Sequence, residues 1–143
     1  MESLQRVAPL VGRVLIALIF VIAGFNKITG FEGTVGYIAS QGIPLPALAA
    51  IGAIVVELGG GLLLVAGWQS RLAATALLIF TAVAALIFHA FWAAPAEMAQ
   101  NQMIHFLKNV SIMGGLLYVI AFGAGHVSAD ARNTNPELAG ASR

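Results

Sequence analysis

Cysteine is absent from the 143 residues, and charge is scarce: seven Lys/Arg and six Asp/Glu make up 9 % of the chain. An ordinary soluble domain is about 25 % charged. Without cysteine there are no disulfides, no thiol redox chemistry, no iron–sulfur cluster and no Cys-ligated zinc. With a formal net charge of +1 there is no basic stripe for nucleic acid. Acidic residues are too few and too scattered for a carboxylate-bridged di-metal site, so no metal site is expected. Phosphate loops, nucleotide fingerprints and a supported Ser-His-Asp set are also missing. The length predicts one domain, without a separate soluble catalytic module.

What the chain has in abundance is apolar residues, 59 % of the total. They fall into four stretches, each near the roughly 20 residues that a bilayer-spanning helix needs. These run from about Val7 to Lys27, Pro46 to Gly67, Arg71 to Ala94 and Met103 to Gly123. The runs are Ala/Leu-rich and lack period-2 alternation, which predicts helices and not strands. The first run is not expected to be a secretory signal, because no small-x-small cleavage site follows it. The fold class is therefore all-α, a membrane-embedded four-helix bundle spanning residues 1–127, with a polar tail over 128–143.

The connections carry their own signals. Phe31, Val35 and Ile38 recur at helical spacing between the first two spans. They predict a short amphipathic helix on the membrane surface, ended by Gly42 before Pro44 and Pro46. Gly67 reads as a helix C-cap and Ser70 as an N-cap, while Pro95 and Glu97 mark another helix start. The tail, with Asn133, Asn135, Pro136, Gly140 and Ser142, is expected to fray. Arg6, Arg71, Arg132 and Arg143, with Arg13 close by, gather on the side shared by both termini. Only Lys27 and Lys108 belong to the other side, so both termini are expected to be cytoplasmic.

A charged side chain at the centre of a spanning helix costs at least ~2.5–3.5 kcal/mol and usually faces a partner or a cavity. Arg13, Lys27, Glu57 and Lys108 are the candidates, with His89, His105 and Asn109 as polar neighbours. From a rise of about 1.5 Å per residue, Glu57 lies roughly 15 Å and Arg13 roughly 20 Å below the outer boundary. That predicts an Arg13–Glu57 ion pair, with Glu57 as the proton-transfer group. Lys27, His89, His105, Lys108 and Asn109 would then line the outer half, in an interior of net positive charge suited to an anion or a quinone carbonyl. Each residue also has a structural reading: an ion pair fixing helix registry, lysines snorkelling to the interface, histidines packing or solvated.

The ordered motifs resemble those of the DoxX family of small four-helix membrane proteins, from about Arg6 to Asp130. Arg13 is followed by Phe20-Val21-Ile22-Ala23-Gly24-Phe25-Asn26-Lys27, then Gly42-Ile43-Pro44 and Glu57-Leu58-Gly59-Gly60 with Gly67. Arg71-Leu72-Ala73, Phe88-His89, Phe106-Leu107-Lys108-Asn109, Gly123-Ala124-Gly125 and Ser128-Ala129-Asp130 complete the pattern. The resemblance implies a multi-pass protein of a bacterial inner membrane, surrounded by lipid. One branch is similar to the small subunit of thiosulfate:quinone oxidoreductase, and others are associated with redox-stress membrane complexes. It thus implies a quinone-facing or anion-binding subunit with other membrane or redox subunits as partners, a quinone as the only cofactor and none covalently held. The alternative is a non-catalytic scaffold or assembly subunit.

Overall fold

The computed structural model describes residues 2–134. Helix α1 (Glu2–Thr29) crosses first, and α2 (Phe31–Ser40) is the short helix between spans. The second span is composite: α3 (Pro46–Ile54), one π-helical turn over Val55–Gly59, and α4 (Gly60–Ala66). Helix α5 (Ser70–Phe88) is the third span, and a 3₁₀ turn (Phe91–Ala93) leads into the fourth, α6 (Ala96–Phe122). A last helix, α7 (Ala129–Thr134), follows.

Among the described residues, four segments are long and apolar enough to cross a membrane. Each packs on the next in chain order, and α6 closes the ring against α1. Much of the surface outside the ring is apolar; Leu15 and Ile22 on α1, Leu62 on α4 and Leu86 on α5 are all exposed. Such a surface belongs in lipid and not in water. The small core of Ala17, Phe20, Leu64, Ala74, Leu77 and Leu116 fills the middle of the ring.

Glycine sets the register of α1 against the second span. A Cβ on Gly24 would lie 2.9 Å from the backbone nitrogen of Leu58, and one on Gly61 would lie 2.8 Å from Val21 Cγ2. Small residues allow this close approach between helices in lipid, where dispersion and packing replace the hydrophobic effect. Residue 24 is therefore level with 58, and residue 21 with 61. Pro46, twelve residues before Leu58, consequently starts about 18 Å along the helix from that contact. The second span begins beyond the end of α1, where α3 packs against α2.

Helix α2 forms as the apolar spacing predicts, with Ile38 buried and Gly42 at φ 72° just after it. In the third span regular α-helix ends at Phe88, where His89 leaves helical geometry, and the 3₁₀ turn carries the apolar segment on to Ala93. Helix α6 starts at Ala96, directly after Pro95, and runs unbroken from that helix start through the fourth span.

Two further corrections concern the end of the bundle that holds Arg13. Ser70 does not cap α5; Gln69 precedes the helix, and the capping group is the carboxylate of Asp130. The backbone N–H groups of Gln69 and Ser70 donate to Asp130 Oδ1 and Oδ2 at 2.8 and 2.9 Å. The Asp130 N–H donates in turn to Gly67 O at 2.8 Å. Nor does the described part of the tail fray: the Ser128 hydroxyl accepts from the Ala131 N–H at 3.1 Å and opens α7. The expected tail beyond Thr134 lies outside the described residues.

Arg13 belongs to this same latch. Its guanidinium donates to the carbonyls of Ala124 and Val127, the latter at 2.7 Å, and reaches Val65 O at 3.5 Å. Gly67, at φ 66°, lies against it; a Cβ there would be 2.9 Å from the guanidinium carbon. A guanidinium offers five donors in a planar fork, which suits the carbonyls left unpaired at helix C-termini.

Burial alone would raise the Asp130 carboxyl, but hydrogen bonds from Ser70 and Gln69 and the charge of Arg13 outweigh it. The group titrates below its ordinary 3.8. A depressed carboxyl stabilises the folded state above its unfolded pKa, and that contribution disappears as pH falls through the folded one. Asp130→Ala should thus lower stability in detergent by about 1 kcal/mol at neutral pH, the usual cost of a lost N-cap. Melting curves should show the gap between wild type and variant closing below about pH 4. A gap independent of pH would contradict the latch.

Candidate functional site

The level of Leu58 with Gly24 brings its neighbour Glu57 within a turn of Lys27. The two form an ion pair, Lys27 Nζ to Glu57 Oε2, at 2.7 Å. Glu57 is buried, whereas the Lys27 side chain is 26 % exposed. No other polar partner is present for Glu57 Oε2 among the described residues. The expected Arg13–Glu57 pair is therefore wrong. The depth estimate placed Lys27 and Pro46 at one boundary, but the glycine contacts offset the two spans. Arg13 is eleven residues from Gly24, about 16 Å along α1, and is held by the carbonyls of the latch.

Glu57 occupies the π-helical turn. π-Helical turns are rare and concentrate at functional sites, because the wider turn re-aims a side chain that regular helix would place elsewhere. Here the turn sits between Ala53, which lines the same interior space, and the tightly packed Gly60 and Gly61.

The ion pair stands in the wall of a chamber of about 460 Å³ inside the bundle. Apolar side chains from five helices and the α2–α3 connection make most of the lining, among them Ile19, Ala23, Ile43, Phe80, Ile87 and Ile112. The polar lining consists of Lys27, Glu57, Thr34, Tyr37, Thr81, His89 and Asn109. Two of these are committed to their own helices: Thr81 Oγ1 donates to Leu77 O at 2.7 Å, and Thr34 Oγ1 to Gly30 O at 3.1 Å. Helix α2 covers one flank, with Tyr37 stacked on Phe88 at 5.4 Å between ring centroids.

Of the residues singled out from sequence, Lys27, Glu57, His89 and Asn109 converge on this chamber. His89 Nδ1 lies 2.9 Å from Gln102 Oε1, and its ring stacks on His105 with centroids 5.1 Å apart. His105 supports His89 without lining the chamber. Lys108 is exposed on the outer face of α6 and also does not line it. The interior of excess positive charge expected from sequence is thereby corrected. Arg13 and Lys108 are elsewhere, and the charged lining is one cation opposed by one anion.

Sequence reasoning missed Tyr37, Thr81, Gln102 and Asp130. Tyr37 shares a helical face with Thr34 and Ile38, the face on which α2 packs, so the amphipathic pattern already pointed inward. Asp130 was hidden by the polar composition of the tail, although Ser128 two residues before it is an ordinary helix-start signal.

The family model described as DoxX matches residues 8–90. The chain is 42 % identical to inner membrane protein YphA of Escherichia coli (strain K12) over 128 residues, covering 90 % of this chain and 91 % of that protein. It is 37 % identical to inner membrane protein YqjF of the same organism over 130 residues, 91 % of this chain and 95 % of the relative. A shorter likeness, 33 % over 70 residues, reaches a Surfeit locus protein 4 homolog of Schizosaccharomyces pombe, covering 48 % of this chain and 23 % of that one. No solved structure gives a significant match. With the family model spanning more than half of the chain and two relatives matching nearly end to end, the protein belongs to the DoxX family of integral membrane proteins.

Proposed function

We propose that the chamber receives the head group of a membrane quinone, and that this chain is the quinone-facing subunit of a membrane oxidoreductase. The observation that carries the proposal is the pairing of a half-open, mostly apolar chamber of about 460 Å³ with an ion pair in its wall. Small-molecule sites are typically about 300–1,000 Å³, mostly apolar, with a few placed polar groups. A quinone ring is flat and uncharged, and its carbonyls accept hydrogen bonds. The donor set fits: the Lys27 ammonium and the Asn109 carboxamide both line the space, and Asn109 makes no side-chain hydrogen bond among the described residues.

A quinone accepts two electrons and two protons, and the electrons would come from another subunit. Lys27 and Asn109 would hold the carbonyls, and the apolar walls would exclude water. Glu57, balanced by Lys27, would hold or release a proton at Oε2. An anionic ligand is less well served, because the charged lining is already balanced. The scaffold reading is favoured by one fact, that Lys27 and Glu57 satisfy each other and so tie α1 to the second span.

Titration of short-chain decylubiquinone into the full-length protein in nanodiscs separates the two. Saturable binding should weaken about tenfold or more in Lys27→Met and Glu57→Gln, the cost of one lost charged hydrogen bond. Lys108→Gln should bind like wild type. Absence of saturable binding to the wild type, together with lower melting temperatures for the two variants, would establish the scaffold.

The reading also places the protein in a bacterial plasma membrane with the latch and both termini on the cytoplasmic side. The wild-type chain offers no thiol, so single cysteines report topology cleanly. In intact spheroplasts a membrane-impermeant maleimide should label Gln41→Cys, between α2 and α3, and spare Asn133→Cys until lysis. The reverse pattern would invert the orientation.

A further inference from the structure

Helix α6 has the least buried apolar stretch of the four spans, 11 % against 22–33 % in the others, and also the lowest mean hydropathy. A bundle surrounded by lipid alone should show the opposite, since the helix with most surface in hydrocarbon should be the most apolar. The other outer face of this molecule obeys that rule. On α1, Val11, Leu15, Leu18, Ile22 and Phe25 are exposed, and all are apolar.

Beside the exposed apolar Leu107, Val110 and Leu117, α6 also exposes Asn101, Ile104, Lys108, Ser111, Gly114 and Tyr118, which fall at spacings of three and four, one stripe along the helix. Seven residues separate Asn101 from Lys108, and Ile104, Ser111 and Tyr118 from one another, the repeat of a helix–helix seam. Gly114 and Ser111 would let a second backbone come close. Lys108 has no polar partner among the described residues. It lies about 5 Å deeper than the stacked His89–His105 pair.

We infer that this stripe docks a transmembrane helix of a different polypeptide, carrying a carboxylate at the level of Lys108. Charge complementarity selects that partner. A second copy related by a two-fold axis along the membrane normal would set Lys108 against Lys108. Among the described residues the chain's own exposed carboxylates are out of reach, Glu97 being eleven residues away, about 16 Å along α6, and Glu32 lying on α2. The inference is independent of the quinone reading, because the stripe is on the outside of the bundle.

A photocrosslinking amino acid placed at Ser111 or Tyr118, with Leu18 and Ile22 on α1 as controls, tests this in membranes of the cells that make the protein. The α6 positions should give one adduct to another membrane protein with an acidic residue in a span, and the α1 positions should not. Lys108→Glu and the milder Lys108→Gln should each cut adduct yield about tenfold or more, while Lys108→Arg retains it. Lysine in place of the partner's acid should restore the adduct with Lys108→Glu. Adducts to lipid alone, a homodimer adduct, or yields unchanged in a folded Lys108→Gln would each overturn the inference.

Discussion

Everything distinctive in this molecule depends on how closely α1 approaches the second span. Gly24 against Leu58 and Gly61 against Val21 fix the vertical offset of two helices that would otherwise slide in a featureless apolar solvent. The offset decides which charges meet. With residue 24 level with 58, Glu57 faces Lys27; a shift of three turns would be needed to bring it to Arg13. It also leaves the first turns of α3 projecting past the end of α1, which makes room for α2 and for the chamber that it flanks.

The bilayer then disposes of the ionisable groups in three different ways. Arg13 donates through its two terminal nitrogens to carbonyls of the connection after α6, and so becomes a structural clasp between α1 and the end of α6. Lys27 and Glu57 satisfy each other at the wall of an interior space, where the pair is protected yet reachable by a ligand. Lys108 has neither solution within the described chain and lies on the least buried helix. These correspond to three jobs: holding the fold, furnishing a site and presenting a surface. The latch and the chamber occupy opposite ends of the bundle, so the fold can be pinned at one end while the other accommodates a ligand and the π-helical turn that carries Glu57.

Spans, the surface helix and the family were legible in the sequence because they rest on run length, helical spacing and ordered motifs. The pairing of the charges was not legible, since it depends on the offset between helices. Nothing in one sequence states that a Cβ on Gly24 would run into Leu58 while one on Gly12 would meet nothing within 4 Å. The latch was obscured for a related reason: Asp130 caps a helix sixty residues earlier, a contact with no local signature. Lys108 was assigned to the interior on the face it shares with His105 and Ser111, whereas the α6 residues that line the chamber are Asn109 and Ile112.

A charge-swap experiment tests the account of the register and its ion pair most directly, reading folded, monodisperse protein after detergent extraction. Lys27→Glu and Glu57→Lys should each lose most of the folded yield, because each leaves like charges in a low-dielectric wall. The double variant Lys27→Glu/Glu57→Lys should recover it. Recovery of Glu57→Lys by Arg13→Glu instead would contradict the register, and with it the chamber built upon that ion pair.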